Sequence, residues 1–240
     1  MSTLDRRDLL TFLAGAIALA AVPAIVRAQT RIAPGDEDVL AVIDVQNCFL
    51  PGGTLPVPEG DKVIPIINRL APAFRHVVIT QDWHTPGHIS FASSHPGKKP
   101  FDMVTLPYGT QVLWPDHCIQ GTADAEVHRE LKIPHAQMII RKGYRQHVDS
   151  YSAFLEADRK TKTGLTGYLQ ERGFKRVFLV GLATDFCVAW SALDARRAGF
   201  DALVIEDATR GIDAAGSLGK AWSDMTSAGV RRISSSDLRV

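Results

Sequence analysis

The chain carries almost no net charge: 27 lysines and arginines against 26 aspartates and glutamates leave a formal +1. So even a balance gives no electrostatic footing for nucleic acid, whose binding needs a concentrated basic surface. No internal repeat and no low-complexity tract stands out. Cysteine is scarce, with three residues in the chain, Cys48, Cys118 and Cys187. An odd number means that in an oxidising compartment at least one stays unpaired or pairs between chains. What is present is ordinary globular material: 240 residues, 45% of them hydrophobic, enough to bury a sizeable core in one domain.

The first stretch differs from the rest. "MSTLDRRDLLTFLAGAIALAAVPAIVRAQT" holds paired arginines (Arg6, Arg7), an apolar run from Leu9 to Val22, and small residues ending at Ala28. That order reads as a twin-arginine-type signal peptide over 1–28, with the periplasm as destination and contact with the membrane only during export. The alternative is a retained anchor; the run is short for a span, and Pro23 and Arg27 close it. Residues 29–240 then form a single domain. Twin-arginine export carries folded proteins, often with a cofactor in place, which suits a loaded metalloenzyme.

Along that domain, short β-branched runs alternate with helical patterns. "VLAVIDV", "HVVITQD", "AQMIIRK", "RVFLVGLA", "DALVIED" and "VRRISSS" read as strands. "DKVIPIINRLAPAF", "TGLTGYLQERG", "TDFCVAWSALDARRAG" and the stretch from Ala214 to Ser227 read as helices, two of them stopped by Gly173 and Gly199. The segment from Trp83 to about Gly121 reads as one long irregular connection, and loops of that length are usually functional. Apolar strands alternating with helices predict an α/β fold, a three-layer α/β/α arrangement around a mostly parallel sheet.

In such sheets ligands sit beyond the carboxyl ends of the strands. Asp44, Asp82 and Lys142 each fall near the end of a predicted strand, and Cys187 in the first turn of the helix after another. Each alone has a plain reading as a surface charge, a helix-entry carboxylate or a core thiol, since thiols are among the most buried side chains. Together they make an acyl-transfer set. A helix N-terminus and a cation both depress a thiol pKa, and Cys187 is expected to have both, the cation being Lys142. Asp44 can take the thiol proton and return it to a leaving amine. The backbone amides of Ala183 and Cys187 can receive an oxyanion.

"QDWHTPGHISF" places Asp82 and His84 two apart, and "LWPDHC" adds His117. Two imidazoles and a carboxylate can hold one divalent metal ion and leave positions open. Zinc comes first, with iron and manganese also suited. Spacing alone is weak support, because such pairs also occur in solvated loops, and His88 is a rival ligand or a supporting histidine.

"IDVQNCFLPGG", "TQDWHTPGHISF", "WPDHCIQGT", "RKGYRQHVDSYSAF" and "GLATDFCVAWSALDA" occur in order and span nearly all of the mature chain. This series resembles the nicotinamidase/pyrazinamidase group of the isochorismatase-like cysteine hydrolases. The resemblance implies hydrolysis of nicotinamide, and by extension pyrazinamide, through a cysteine thioester. It implies a triad of Asp44, Lys142 and Cys187, metal ligands Asp82, His84 and His117, and a pyridine ring held between Phe49 and Trp114 with Tyr151 close by. It also implies a cis peptide between Leu182 and Ala183. The metal would hold the ring nitrogen, as an orienting template. One departure stands out: the group usually reads "DVQNDF", and here Cys48 replaces the aspartate. Cys118 follows a proposed ligand, so oxidation is expected to trap Cys187 with one of the other thiols, unless both are inert packing residues.

Three other functions remain open. An amidase for a ureido or carbamoyl compound would use the same thiol, but it leaves Asp82, His84 and His117 without a purpose. A non-catalytic periplasmic metal- or pyridine-binding protein would leave Lys142 and the Cys187 turn unexplained. Isochorismate hydrolysis lies poorly with export. A homo-oligomer is compatible with the sequence, which does not fix the number of copies.

Overall fold

The computed structural model describes residues 31–240, so the leader read at 1–28 lies outside the described residues. The chain runs β1 (Asp38–Ile43), α1 (Val63–Leu70), β2 (Val77–Asp82), β3 (Met103–Leu106), β4 (Gly109–Val112), β5 (Met138–Lys142), α2 (Leu165–Glu171), β6 (Arg176–Leu182), α3 (Ala189–Arg197), β7 (Asp201–Arg210), α4 (Ser217–Ser227) and β8 (Arg231–Ile233). Six strands form one sheet in the order β5-β2-β1-β6-β7-β8. Neighbours pair parallel throughout, Leu40 opposite Val77 on one side of β1 and opposite Phe178 on the other.

The three layers follow from the alternation within each strand. In β1, Leu40 and Val42 join the core that α1 closes with Val63, Ile67 and Leu70, beside Phe74, Phe178 and Leu203. The intervening Val39, Ala41 and Ile43 face the other core, with Leu165 and Leu169 of α2, Ala192 and Ala195 of α3, and Met225 of α4. A strand buried on both faces reads as a continuous apolar run, which is why β1, β2 and β6 were visible as strands. Among the described residues no helix is long and apolar enough to cross a membrane.

The long connection between β2 and β5 contains an element that the sequence reading left as irregular. β3 and β4 form an antiparallel hairpin, Met103 opposite Val112 and Leu106 opposite Gly109. Met103 and Thr105 are exposed while Val104 and Leu106 are half-buried. Four-residue strands with one face in water bury too little to leave a hydrophobic signature.

The sheet is built so that its strand ends meet. Gly181 near the end of β6 has φ +108, and a Cβ there would lie 2.0 Å from the Ile43 carbonyl oxygen. Only glycine permits this approach of β6 to the end of β1, next to Asp44.

Candidate active site

Because the strands are parallel, their carboxyl ends share one rim. Asp44 follows β1 with a left-handed backbone (φ 47). Asp82 and Lys142 are the last residues of β2 and β5, paired with each other in register. Cys187 sits after β6 in the turn Thr184–Val188, wound wider than an α-helix and leading into α3. The peptide between Leu182 and Ala183 is cis.

Lys142 joins these groups. Its ammonium lies 2.8 Å from Asp44 Oδ2 and donates to Asp82 Oδ1 at 2.5 Å, to the Ser150 carbonyl at 3.1 Å and to Cys187 Sγ at 3.4 Å. Lys142 and Asp44 are fully buried. Thr80 Oγ1 donates to Asp44 Oδ1 at 2.5 Å, while Oδ2 faces the Lys142 ammonium. A buried carboxylate oxygen within 4.8 Å of the Cys187 sulfur is placed to take its proton.

Titration follows from this crowding. Burial pushes the Lys142 pKa down, but Asp44 and Asp82 more than offset it and hold the ammonium charged well above its ordinary range. Burial raises the Asp44 pKa; Lys142 opposes that, Asp82 reinforces it, and the net shift is upward. Burial works upward on Asp82 too, yet Lys142 and the two histidines bring it below the usual carboxylate range. For Cys187, burial is the largest influence and raises the pKa; Lys142 lowers it, Asp44 and Asp82 raise it again, and it ends well above the ordinary thiol value. This corrects the expectation of a depressed thiol pKa. Sequence position brought the helix turn and the cation into view, while the two carboxylates around the same sulfur emerge only in three dimensions.

Beside this group, His84 Nε2 lies 3.7 Å and His117 Nε2 4.0 Å from Asp82 Oδ2. The Nδ1 atoms lie 3.0 Å from the Gly143 carbonyl and 2.8 Å from the Pro115 carbonyl. A carbonyl only accepts, so each Nδ1 carries the proton and each Nε2 turns a lone pair towards Asp82. Two lone pairs and a carboxylate converging on one point, with their outer nitrogens held, fit a divalent metal ion. The electrostatics agree. Burial holds His117 down to about 4, so it is neutral and able to ligate. Burial also depresses His84, but Asp82 outweighs it and the net shift is upward, so the site favours positive charge.

His88 is placed differently. Its Nε2 lies 3.0 and 3.2 Å from the Arg145 and Val148 carbonyls, and its Nδ1 2.7 Å from Ser90 Oγ. Both nitrogens are committed to the protein, and the ring stands 4.4 Å from that of His84. His84, His88 and Asp149 nevertheless form a buried group whose ligand atoms lie within 4.8 Å of one another, so His88 is a rival ligand by position.

Phe49, Trp114, Tyr151, His117, Phe186 and Cys187 line one pocket with about 20 Å³ of free space. That is room for about one water-sized sphere. Trp114 Nε1 donates to Tyr151 Oη at 3.0 Å, fixing two of the proposed ring contacts against each other.

Comparisons with known proteins identify the family. The family model of the isochorismatase domain matches residues 38–237. The chain belongs to the isochorismatase family. A relative in the family, the nicotinamidase of Acinetobacter baylyi, is 57% identical over 88% of this chain and 99% of its own. A solved nicotinamidase/pyrazinamidase of Acinetobacter baumannii is 62% identical with a TM-score of 0.84, covering 85% of this chain and 98% of its own. The pyrazinamidase of Pyrococcus horikoshii in complex with zinc is 35% identical with a TM-score of 0.68, covering 82% and 99%.

Against the family pattern, the Cys48 departure has a structural consequence. Cys48 and Cys118 form a disulfide, their Cα atoms 5.6 Å apart across a sequence separation of 70, and Cys187 is the free thiol. The expected trapping of Cys187 by a neighbouring thiol is therefore corrected: those two sulfurs bond to each other. The Cys118 sulfur, close to Asp82 and His117, is no thiolate ligand in this state.

Several supporting residues escaped the sequence reading. Gln46 of "DVQN" accepts from the Asp82 amide at 2.8 Å and donates to the Asp82 carbonyl at 2.9 Å, stapling the ends of β1 and β2. Asp185 of "TDFC" accepts from the amides of Ile212 and Asp213 and from Ser217 Oγ, fixing the segment whose Ile212 lines the pocket. Gln111 of the hairpin donates to Asp149 at 2.7 Å and to Tyr151 Oη at 2.8 Å. The first two lie inside quoted motifs and were open to question; Gln111 has no local signal.

Proposed function

We propose that the chain hydrolyses nicotinamide to nicotinic acid and ammonia, and accepts pyrazinamide, through a thioester on Cys187. One observation carries this reading: a single buried ammonium, Lys142, touches Asp44, Asp82 and Cys187. It thereby joins an acyl-transfer group to a metal-ligand group at one aromatic pocket. A ureido amidase or a mere binder would need only part of that assembly.

Asp44 takes the proton of Cys187 as the sulfur attacks the carboxamide carbon, so the thiolate forms only with substrate in place. The backbone amides of Ala183 and Cys187 donate to the new oxyanion. Collapse breaks the C–N bond, the proton held by Asp44 passes to nitrogen, and ammonia leaves. Water then gives a proton to Asp44 and attacks the thioester; the C–S bond breaks, and the proton returns to sulfur. Lys142 stays charged throughout and balances the charge that moves between Asp44 and Cys187. Phe49 and Trp114 hold the ring, with Tyr151 beside them. Asp82, His84 and His117 would hold a divalent metal, zinc foremost, with iron and manganese also suited; when bound it orients the ring nitrogen and offsets negative charge. The leader supports export to the periplasm, which cell fractionation of the Arg6→Lys, Arg7→Lys variant tests: retention in the cytoplasm is expected.

The deciding assay is ammonia release from nicotinamide by the purified chain, before and after chelation. Release that chelation abolishes and metal restores is expected. No release from a metal-loaded sample with Cys187 as a free thiol and the Cys48–Cys118 disulfide intact would refute the substrate and turn attention to ureido amides.

A further inference from the structure

We propose that the Cys48–Cys118 disulfide is a positioning element of the active site. It ties the turn carrying Phe49 to the loop carrying His117, and so sets ring placement and metal retention together. The inference rests on the reading of Phe49 as a ring contact and His117 as a metal ligand.

The placement is direct. Phe49 follows Cys48, His117 precedes Cys118, and their rings lie 5.6 Å apart, edge to face. Both half-cystines are fully buried within the same apolar cluster as Phe49 and Trp114. Cys118 also has a left-handed backbone (φ 46), unusual for a side-chain-bearing residue. Its carbonyl accepts from the His84 amide at 3.0 Å, and the Gln120 amide donates to the His84 carbonyl at 2.9 Å. The bridge therefore reaches the second imidazole through the backbone.

The other ties between the two segments are hydrogen bonds. Gln46 Nε2 donates to the Ala125 carbonyl and the Asn47 amide to the Glu126 carbonyl, both beyond Cys118, while Asp124 accepts from both Thr54 Oγ1 and the Cys118 amide. The Asn47 Nδ2 to Ala123 and Thr54 to Asp124 bonds are exposed, where water competes. His117 itself is held by the Pro115 carbonyl within its own loop. The disulfide is the covalent link, and it joins the residues immediately beside Phe49 and His117. It also keeps the Cys118 sulfur, which lies within 4.8 Å of ligand atoms of Asp82 and His117, out of the donor set. Full burial makes it a standing clamp, shielded from bulky thiol reductants.

The test begins with the full chain, purified without reductant and then denatured: one titratable thiol per chain is expected, and three would overturn the proposal. Cys48→Ser and the double variant Cys48→Ser, Cys118→Ser are then compared with wild type. Metal affinity, from chelator competition, should fall by about tenfold or more in both, the scale seen when a ligand's supporting partner is lost. KM for nicotinamide should rise by a larger factor than kcat falls. A cross-link with a merely structural role would lower Tm and leave metal affinity and KM at wild-type values, and that result would also overturn the proposal. Should the variants fail to fold, wild-type holoenzyme treated with a small dithiol gives the same comparison of metal affinity, with the thiol count reporting the extent of reduction. Absence of ammonia release from the wild type would sink the nicotinamide reading instead, while thiol count, metal competition and Tm stay interpretable.

Discussion

Replacing Lys142 with methionine keeps the length of the side chain and removes the charge on which the site's electrostatics turn. The ammonium stands 2.8 Å from Asp44 and 2.5 Å from Asp82. At an effective dielectric of about 20, each contact is worth roughly 6 kcal/mol of Coulomb attraction. Desolvation of three buried charges consumes several kcal/mol per ion, so the net cost of breaking the cluster is about 3–5 kcal/mol. For a chain of this size each kcal/mol moves Tm by about 2–4 °C, which gives a loss of about 6–20 °C at neutral pH. The dependence on pH is the sharper test. Without Lys142, burial and mutual repulsion raise the folded pKa values of Asp44 and Asp82 above their ordinary 3.8. The folded state then binds protons more tightly than the unfolded chain. The penalty is full above the raised folded values and fades as pH falls through them. Melting of chelator-treated wild type and Lys142→Met from pH 7.5 to 4.5 should show a wide Tm gap that narrows with acid. Adding Asp44→Asn to Lys142→Met should recover half or more of the gap without restoring turnover. A gap that is absent, or equal at both ends of the range, would refute the reasoning.

Cys187→Ala should abolish ammonia release while metal affinity stays at the wild-type value; substantial residual turnover would remove the covalent route. Gly143→Ala should act on the metal from outside the ligand set, because φ is +67 and the new Cβ would lie 2.6 Å from His84 Cε1. We expect a loss of metal affinity of about tenfold or more, read by chelator competition, and unchanged affinity would show that His84 is not a ligand. Glu156 is fully buried, its Oε1 2.8 Å from Arg145 Nη1, and burial above all holds its pKa at about 7, above the ordinary 4.5. Its folded value is raised, so wild-type stability should fall as pH climbs from 4.5 through 7, and Glu156→Gln should gain in Tm relative to wild type from pH 5 to 8; parallel melting curves would contradict this.

The parallel sheet was readable because β1, β2 and β6 are buried on both faces and therefore appear as unbroken apolar runs. Once the strands are parallel, the rim follows, and with it the meeting of Asp44, Asp82, Lys142 and Cys187. The hairpin of β3 and β4 was not readable, since four-residue strands half in water carry no periodic signal long enough to separate from a loop. Its contribution to the site, Gln111 bound to Asp149 and Tyr151, went unseen for the same reason. The disulfide was equally hidden, because 70 residues separate its ends and only the packing of two loops brings the sulfurs together.

The protonation state of Cys187 marks where residue order stops informing chemistry. A turn at the start of a helix and a neighbouring lysine each favour thiolate, and both are legible from position. Yet the same lysine is already engaged by two carboxylates, and those carboxylates also face the sulfur. One positive charge divided among three potential anions cannot stabilise them all. With Asp44 and Asp82 ionised, the cluster already bears one net negative charge, and a thiolate would make it two, fully buried. In the metal-free site the thiol is therefore favoured over the thiolate, and Asp44, its pKa raised by burial, is the group matched to receive the proton. Reactivity here depends on moving that proton between two buried neighbours while Lys142 holds the total charge steady, which means that it arises from the cluster and not from any one member's intrinsic acidity.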